Sequence, residues 1–166
     1  MKRLVLCRHA KTETIYLGIT DEQRELMPRG RTDAQLVAAD LEEKGYKPQL
    51  MISSDAARAV QTAQIVAQTV GYPVEAIRYE HFIYHGYTTQ DFLDFLATLD
   101  DAVDNVWVVG HNPDIAMLAM RLAPGDFSRY PTSAVSVIAF DTLSWRDIEP
   151  KSGVLEYFMV PKLLKG

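Results

Sequence analysis

Short apolar runs alternate with longer amphipathic segments along this chain. The apolar runs predict strands at residues 3–7, 49–53, 106–109, 134–140 and 154–159, with an edge strand at 74–78. The amphipathic segments predict helices at residues 29–44, 55–70 and 89–99, and another helix after residue 112. Strands that alternate with helices are typical of a mostly parallel sheet covered on both faces. The sequence therefore predicts an α/β fold, with residues 1–166 in a single domain.

Turn and capping residues place the ends of the helices. Gly45 and Gly71 follow the first two helices, where a glycine is suited to ending a helix. Thr88 is predicted to cap the helix that follows it. Asn112 is predicted to cap the next helix, with Pro113 at its first position.

Two segments have no regular periodicity. Residues 10–28 mix glycine, proline and charged residues, and they predict a long loop over the functional site. Residues 80–87 are rich in aromatic side chains and are predicted to be irregular. Their rings are expected to line a cleft wall or to pack under the loop. Any substrate specificity is expected to come from these two segments.

Composition narrows the classes of function. Of the 166 residues, 48% are apolar and 23% are charged, a profile typical of a globular protein with a sizeable core. The net charge of −5 argues against nucleic-acid and anionic-membrane partners, because both bind basic surfaces. A single cysteine excludes an internal disulfide, and no apolar run suits a signal peptide or a membrane span. No heptad or long apolar face demands a partner, so we expect a cytoplasmic monomer.

Three predicted strands run directly into residues that can carry chemistry. Arg8 and His9 follow the first strand, and Gly110 and His111 follow the strand at 106–109. The strand at 49–53 leads through two serines to Arg58, in the first turn of a helix. Because an open α/β sheet places its ligand crevice at the carboxyl ends of its strands, we expect these side chains to converge.

Two histidines and two arginines at one sheet edge indicate phosphoryl transfer through a histidine. A neutral imidazole can accept a phosphoryl group covalently, and His9 is the candidate nucleophile. Arg8 and Arg58 would clamp the phosphoryl oxygens with their forked donors. A protonated His111 would add charge stabilisation in the transition state. The structural alternatives are a hydrogen-bonded histidine at a strand end for His9, a surface arginine for Arg58 and a helix-capping residue for His111.

Glu80 is the candidate proton donor. It follows the predicted edge strand and opens the aromatic segment. A leaving group that departs as an anion needs a proton, and a carboxyl group can supply one. The alternative is that Glu80 is a surface residue, as most glutamates are.

Taken together, these residues resemble the histidine phosphatase superfamily, and the chain looks similar to its small SixA-like phosphohistidine phosphatase branch. The motifs that carry the resemblance are Arg8-His9-Ala10, Ser53-Ser54 with Arg58 and Gln61-Thr62-Ala63, Glu80, and Gly110-His111-Asn112-Pro113. Further similarity covers Arg24-Glu25-Leu26, Arg29-Gly30-Arg31 and Pro131-Thr132-Ser133-Ala134. The resemblance implies a three-layer α/β/α sandwich of the phosphoglycerate mutase-like type.

The resemblance also implies a mechanism. It implies a phosphohistidine intermediate on His9 that water hydrolyses, with Arg8, Arg58 and His111 holding the phosphate, and neither metal nor cofactor. The chain departs from the family where Ala10 replaces the usual glycine. Many relatives also have a polar phosphate contact a few residues later, for which three side chains are available here. These candidates are Lys11, Thr12 and Thr14.

The sequence gives less support to two other chemistries. A cysteine phosphatase would need an arginine six residues after Cys7, but that position is Glu13. His81 and His85 have a spacing that can bind zinc on a helix, yet no glutamate lies between them. The open alternatives are a phosphatase acting on a small phosphoester, such as a sugar phosphate or nucleotide, and a phosphate-binding module without turnover. The favoured partner is a protein that carries phosphohistidine.

Overall fold

The computed structural model describes residues 1–165, which form a six-stranded sheet with helices on both faces. The strands are β1 (Lys2–Arg8), β2 (Leu50–Ser53), β3 (Arg78–Tyr79), β4 (Asn105–Gly110), β5 (Val135–Phe140) and β6 (Val154–Met159). The helices are α1 (Pro28–Glu43), α2 (Ala57–Val70), α3 (His81–His85), α4 (Thr89–Leu96), α5 (Asp114–Leu122) and α6 (Pro161–Leu164). Single 3₁₀ turns occupy Asp21–Gln23, Val74–Ala76 and Trp145–Asp147. In residues 1–165, none of the helices combines the length and apolarity that crossing a bilayer requires.

The strand order is β3-β2-β4-β1-β5-β6. The first four of these strands are parallel, and β5 runs antiparallel to both β1 and β6. Arg8 lies opposite Gly110, and Ser53 lies opposite Val109. The carboxyl ends of β1, β2 and β4 are therefore level with one another, which is what brings their following residues together. The prediction of a mostly parallel α/β sheet is confirmed.

Alternate residues of the central strands bury opposite faces of the sheet. Leu4 and Leu6 face a cluster that includes Phe92 of α4 and Ile115 of α5. Val5 faces the other way, toward a cluster built largely by α1 and α2. Full burial of a side chain of this size stabilises the fold by about 1.5–3 kcal/mol. The result is the expected three-layer α/β/α sandwich.

The chain around Gly30 ties the start of α1 to the residues after His9. A Cβ atom on Gly30 would lie 2.2 Å from the carbonyl oxygen of Lys11, so no side chain fits there. The same Lys11 oxygen accepts a hydrogen bond from the Met27 amide at 2.9 Å. Thr12 and Leu26 form an isolated antiparallel bridge. These contacts fix both ends of the loop over 10–28 beside the strand edge.

Three local predictions were wrong. The edge strand expected at 74–78 is a 3₁₀ turn followed by the two-residue β3, which pairs with Ile52 and Ser53 of β2. The segment over 80–87, predicted to be irregular, contains the short helix α3. Its Ile83 is fully buried in the core. Asn112 does not cap α5. That helix begins at Asp114, and the Asn112 side chain instead donates to the Tyr130 carbonyl at 2.8 Å.

Candidate active site

The four residues predicted to converge do so at the carboxyl edge of the sheet. His9 follows β1, His111 follows β4, and Arg58 is the second residue of α2. The ring centroids of His9 and His111 are 5.2 Å apart. His9, Arg58 and His111 are all buried, and Arg8 is half-buried. Buried titratable groups concentrated in one place are typical of a functional site.

The imidazole of His9 is held as a neutral ring with a free nitrogen. Its Nδ1 lies 2.8 Å from the Ala10 carbonyl oxygen. Because a carbonyl only accepts, Nδ1 carries the hydrogen and Nε2 keeps an unshared electron pair. Burial, together with the nearby His111 and the two arginines, lowers the pKa of His9 to about 3. The ring is therefore neutral at pH 7, with the electron pair of Nε2 available.

Ala10 is accommodated where the family usually has glycine. It is fully buried, and its amide donates to Thr62 Oγ1 at 2.9 Å. The Thr62 hydroxyl in turn donates to the Arg58 carbonyl at 2.7 Å. This pair of hydrogen bonds links the chain at His9 to the first turns of α2. The added methyl group does not prevent that link.

His111 is positioned by Ser54, a contact the sequence did not reveal. Its Nε2 lies 2.7 Å from Ser54 Oγ, and that oxygen also accepts from the Ala56 amide at 3.1 Å. Burial and the charge of Arg58 lower the pKa of His111 to about 4. This low pKa favours the neutral ring, and the protonation of His111 in the transition state stays a prediction. The ring is neutral at pH 7 and acts as a hydrogen-bonding group.

The two arginines lie close enough to affect each other. Burial and the nearby Arg58 lower the pKa of Arg8. Arg8 Nη1 donates to the Tyr130 carbonyl at 3.0 Å. Arg58 Nη1 donates to the Asp21 carbonyl at 2.8 Å, and its Nη2 to the Asp21 carboxylate at 3.0 Å. Two guanidinium groups in this arrangement favour an anion between them.

Several buried nitrogens at this site have no hydrogen-bond partner among residues 1–165. They are Nε of Arg8, Nε of Arg58 and Nδ1 of His111. An unpaired buried polar group costs about 1–3 kcal/mol, so such groups are uncommon in a protein interior. Their concentration beside His9 is what a binding site for an oxyanion requires. Phosphoryl oxygens would accept from donors of this kind.

Asp21 and Tyr84 also belong to the site, and the sequence analysis missed both. Asp21 Oδ2 accepts from Arg58 and, at 2.9 Å, from the Tyr84 hydroxyl. Burial raises the pKa of Asp21, but the hydrogen bonds from Tyr84 and Arg58 outweigh this, and the net pKa is lowered. The Tyr84 ring lies edge-on to His111, with centroids 5.6 Å apart. Of the aromatic segment, Tyr84 thus lines the cleft wall as predicted, whereas Phe82 and Tyr87 pack against the core.

The loop brings a third arginine to the same place. Arg24 Nε donates to Asp21 Oδ1 at 3.1 Å, and Arg24 Nη1 donates to Thr12 Oγ1 at 3.3 Å. Of the three polar candidates after His9, Thr12 is therefore the one that contacts this network. Lys11 contributes through its backbone, and Thr14 is exposed.

Glu80 is not hydrogen bonded to the histidine and arginine cluster. Its carboxylate accepts from Arg78 Nε at 2.6 Å, and its amide donates to the Ser53 carbonyl at 2.9 Å. It lies at the carboxyl end of β3 and precedes α3. Glu80 therefore lies at the same edge of the sheet as the two histidines, but its carboxylate is paired with Arg78 of β3.

The structure gives little geometric support to a reactive thiol at Cys7 or to a zinc site on His81 and His85. Cys7 is buried, and burial raises the pKa of its thiol to about 12, so the reactive thiolate is disfavoured. His81 Nδ1 lies 2.9 Å from the Asp55 carboxylate, and its ring stacks on that of His85 at 6.2 Å. Glu22, Asp55 and His81 bring their ligand atoms within 4.8 Å of one another, and all three are exposed.

Comparison with known proteins agrees with this geometry. The family model described as the histidine phosphatase superfamily (branch 1) matches residues 4–79. An uncharacterized protein of Mycobacterium tuberculosis is 32% identical over 165 residues, covering 93% of this chain and 99% of that protein. The matched region of the family model contains the Arg8-His9 pair and Arg58.

Solved structures extend the similarity to the whole fold. A candidate phosphohistidine phosphatase SixA from Agrobacterium tumefaciens is 27% identical, with a TM-score of 0.80 over 96% of this chain and 98% of that one. A protein histidine phosphatase SixA complexed with tungstate is 21% identical, with a TM-score of 0.83 over 98% of this chain and 99% of that one. By sequence and by structure, this chain belongs to the histidine phosphatase superfamily and is SixA-like.

Proposed function

We propose that this protein hydrolyses phosphohistidine on a protein substrate through a covalent intermediate on His9. Membership in the superfamily supports phosphatase activity, and the choice of substrate is our inference. The observation that carries the mechanism is the neutral His9 ring, whose Nδ1 is held by the Ala10 carbonyl. The unpaired donors of Arg8, Arg58 and His111 lie around it. A nucleophile and an oxyanion site are thus side by side.

In the first step, the Nε2 electron pair of His9 attacks the phosphorus atom. The phosphorus–nitrogen bond of the substrate breaks, and its electron pair stays with the leaving imidazole, which takes up one proton. Arg8 and Arg58 hold the phosphoryl oxygens and balance their charge, which is the main requirement of phosphoryl transfer. His9 becomes a phosphoimidazolium whose Nδ1 still donates to Ala10.

In the second step, water attacks the phosphorus atom on His9. The bond between phosphorus and Nε2 breaks, orthophosphate leaves with the protons of the water, and neutral His9 is regenerated. His111 donates through its unpaired Nδ1 to a phosphoryl oxygen, with Ser54 on its other nitrogen. We assign Glu80 as the proton donor of the first step, since it lies on the same sheet edge.

The charge that this reaction needs is supplied by the arginines, so we propose a metal-independent reaction without a cofactor. Two guanidinium groups at the phosphoryl oxygens perform the clamping that a divalent cation performs in other phosphatases. Hydrolysis is expected to proceed at an unchanged rate after dialysis against EDTA. A rate that falls with EDTA and returns with added metal would contradict this.

The similarity to a candidate phosphohistidine phosphatase supports a protein substrate. The test is phosphate release from a phosphohistidine-bearing protein domain, set against a panel of sugar phosphates and nucleotides. His9→Ala is the control, and radiolabelled phosphate should appear on His9 of the wild-type protein as an acid-labile adduct. Preference for the protein by orders of magnitude in kcat/KM would support the proposal. Preference for one small ester would mean that the substrate is that ester rather than a protein, while the proposed chemistry at His9 would stand. Phosphate binding without turnover would indicate a binding module.

A further inference from the structure

A groove beside the phosphoryl site is lined by Arg8 but by neither His9 nor His111. Its volume is about 720 Å³. It is lined by the start of α1, with Arg29 and Asp33, by the segment at Arg129, and by the start of α6, with Lys162. Arg8 belongs both to this groove and to the phosphoryl site. A substrate whose phosphoryl group reaches His9 can therefore extend into the groove.

The groove is positively charged although the chain carries a net charge of −5. Its lining contains four cationic side chains and one carboxylate, Asp33. That carboxylate is buried and already compensated, by Lys165 at 2.7 Å and more loosely by Arg29 at 3.9 Å. Within residues 1–165, Arg129 and Lys162 have no carboxylate within 4.0 Å.

The segment that carries Arg129 is anchored firmly to the sheet. The Tyr130 hydroxyl donates to the Leu6 carbonyl at 2.6 Å. The Tyr130 carbonyl accepts from Arg8 at 3.0 Å and from Asn112 at 2.8 Å. Arg129 is exposed at the start of this anchored turn, so its backbone has a defined position relative to the phosphoryl site.

These cations are not needed to hold a phosphoryl group, because Arg8, Arg58 and the histidines already surround it. Exposed single charges contribute little to the binding of a small flexible anion, but several arranged along a groove steer and orient a larger acidic surface. We propose that the groove binds the acidic face of the protein that carries the phosphohistidine. This inference rests on the proposed function and specifies which protein surfaces are accepted.

The test uses two phosphohistidine peptides of equal length, prepared with phosphoramidate. In one, Asp and Glu flank the phosphohistidine, and in the other Asn and Gln replace them. At low salt, we expect kcat/KM for the acidic peptide to exceed that for the neutral peptide by about tenfold, and the ratio to fall as salt is added. Arg129→Glu combined with Lys162→Glu is expected to bring the ratio to one or below.

Lys47→Glu is the matched control for Arg129→Glu and for Lys162→Glu made singly, because it makes the same change in charge as each of them, on an exposed side chain before β2, at the opposite edge of the sheet. It should leave the peptide ratio as in the wild type. A general loss of catalysis lowers kcat/KM for both peptides equally, so the ratio of the two values reports only the effect of the groove. Equal kcat/KM for the two peptides in the wild type would overturn the proposal, as would equal effects of the groove and control variants.

Binding to the His9→Ala variant distinguishes this inference from the proposed function. Fluorescence anisotropy measures the affinity of each peptide without turnover. If the acidic peptide binds more tightly but is not hydrolysed by the wild type, the groove stands and the phosphohistidine function fails. If both peptides are hydrolysed equally well, the function stands and the groove proposal fails. If neither peptide binds or reacts, both fail.

Discussion

The carboxylate of Asp21 forms an ion pair with the guanidinium of Arg58, with Oδ2 of Asp21 3.0 Å from Nη2 of Arg58. Arg58 is also a donor that the phosphoryl group is proposed to use. The Tyr84 hydroxyl holds the same Oδ2 at 2.9 Å, so the carboxylate is fixed rather than loosely attracted. An arriving phosphoryl group and the Asp21 carboxylate therefore compete for one guanidinium.

Replacing this carboxylate should improve the binding of oxyanions. In Asp21→Asn, a neutral amide replaces the competing charge, and we expect the inhibition constants of orthophosphate and tungstate to fall by several-fold to about tenfold. Steady-state inhibition of p-nitrophenyl phosphate hydrolysis measures both constants. Because Asp21→Asn removes the partner charge of buried Arg58, its melting temperature should be lower than that of the wild type. Added phosphate should raise the melting temperature of Asp21→Asn by more than it raises that of the wild type.

Asp141→Asn provides the matched control for that experiment. Asp141 is exposed and follows β5, whose end lies opposite Lys2 at the far edge of the sheet. Asp141→Asn removes one negative charge, as Asp21→Asn does, but at a distance from Arg58. Inhibition constants that are unchanged or higher in Asp21→Asn would mean that Asp21 supports anion binding by orienting Arg58 and Arg24.

Ser54 positions His111, and its removal should affect catalysis more than binding. Ser54→Ala leaves the His111 Nε2 without its 2.7 Å partner, so the ring can rotate or change tautomer. We expect kcat to fall by about tenfold with a smaller change in KM, since a positioning hydrogen bond is lost. Kinetics with p-nitrophenyl phosphate would check this.

Ser53→Ala is the control, because Ser53 is equally buried and donates only to the adjacent Ser54 carbonyl at 2.8 Å. A similar loss of kcat in both variants would show that the effect is structural. In that case Ser54 would have no specific role at His111.

The low pKa values of His9 and His111 predict how stability depends on pH. The folded chain binds protons at these rings only near pH 3 and 4, whereas an unfolded histidine titrates near 6.5. Between these values the unfolded chain binds more protons, so the free energy of unfolding falls as the pH is lowered below 6.5. Each ring contributes up to about 2 kcal/mol of this loss between pH 6.5 and 5.

Two measurements check this prediction. NMR titration should show the His9 and His111 ring resonances, assigned with the alanine variants, unshifted from pH 8 to pH 5. Urea unfolding at pH 7 and pH 5 should show a smaller loss of stability in His111→Gln than in the wild type. A titration midpoint near 6.5 for either ring would contradict the neutral nucleophile.

The strand-end residues of this site were predictable, while the loop contacts were not. Arg8, His9 and His111 follow apolar runs, and parallel strands bring such residues to one edge whatever the loops do. Asp21 meets Arg58 across a separation of 37 residues, through a loop that has no periodicity to indicate its path. Ser54 is one of the two serines before Arg58 in the sequence, and only the position of β4 beside β2 shows that it contacts His111.

The helix errors have a related cause. α3 spans five residues, too few for a helical period to appear, and the burial of its Ile83 depends on the core cluster that it joins with residues of the sheet. Asn112 has the residue type of a helix cap, but the Tyr130 segment provides a tertiary acceptor for its amide. In both places a long-range contact overrides the local preference.

Glu80→Gln tests the assignment of the proton donor. Proton transfer matters most when the leaving group is basic, so we expect kcat/KM to fall by about 100-fold on an alkyl phosphate and only a few-fold on p-nitrophenyl phosphate. Because Glu80 is paired with Arg78 at 2.6 Å, it must leave that ion pair to reach the leaving group. Glu75→Gln, at an exposed position in the preceding 3₁₀ turn, is the matched control and should leave both rates unchanged. Equal losses on the two substrates would remove Glu80 as the donor and would assign the proton to solvent or to Asp21, whose carboxyl group contacts Arg58.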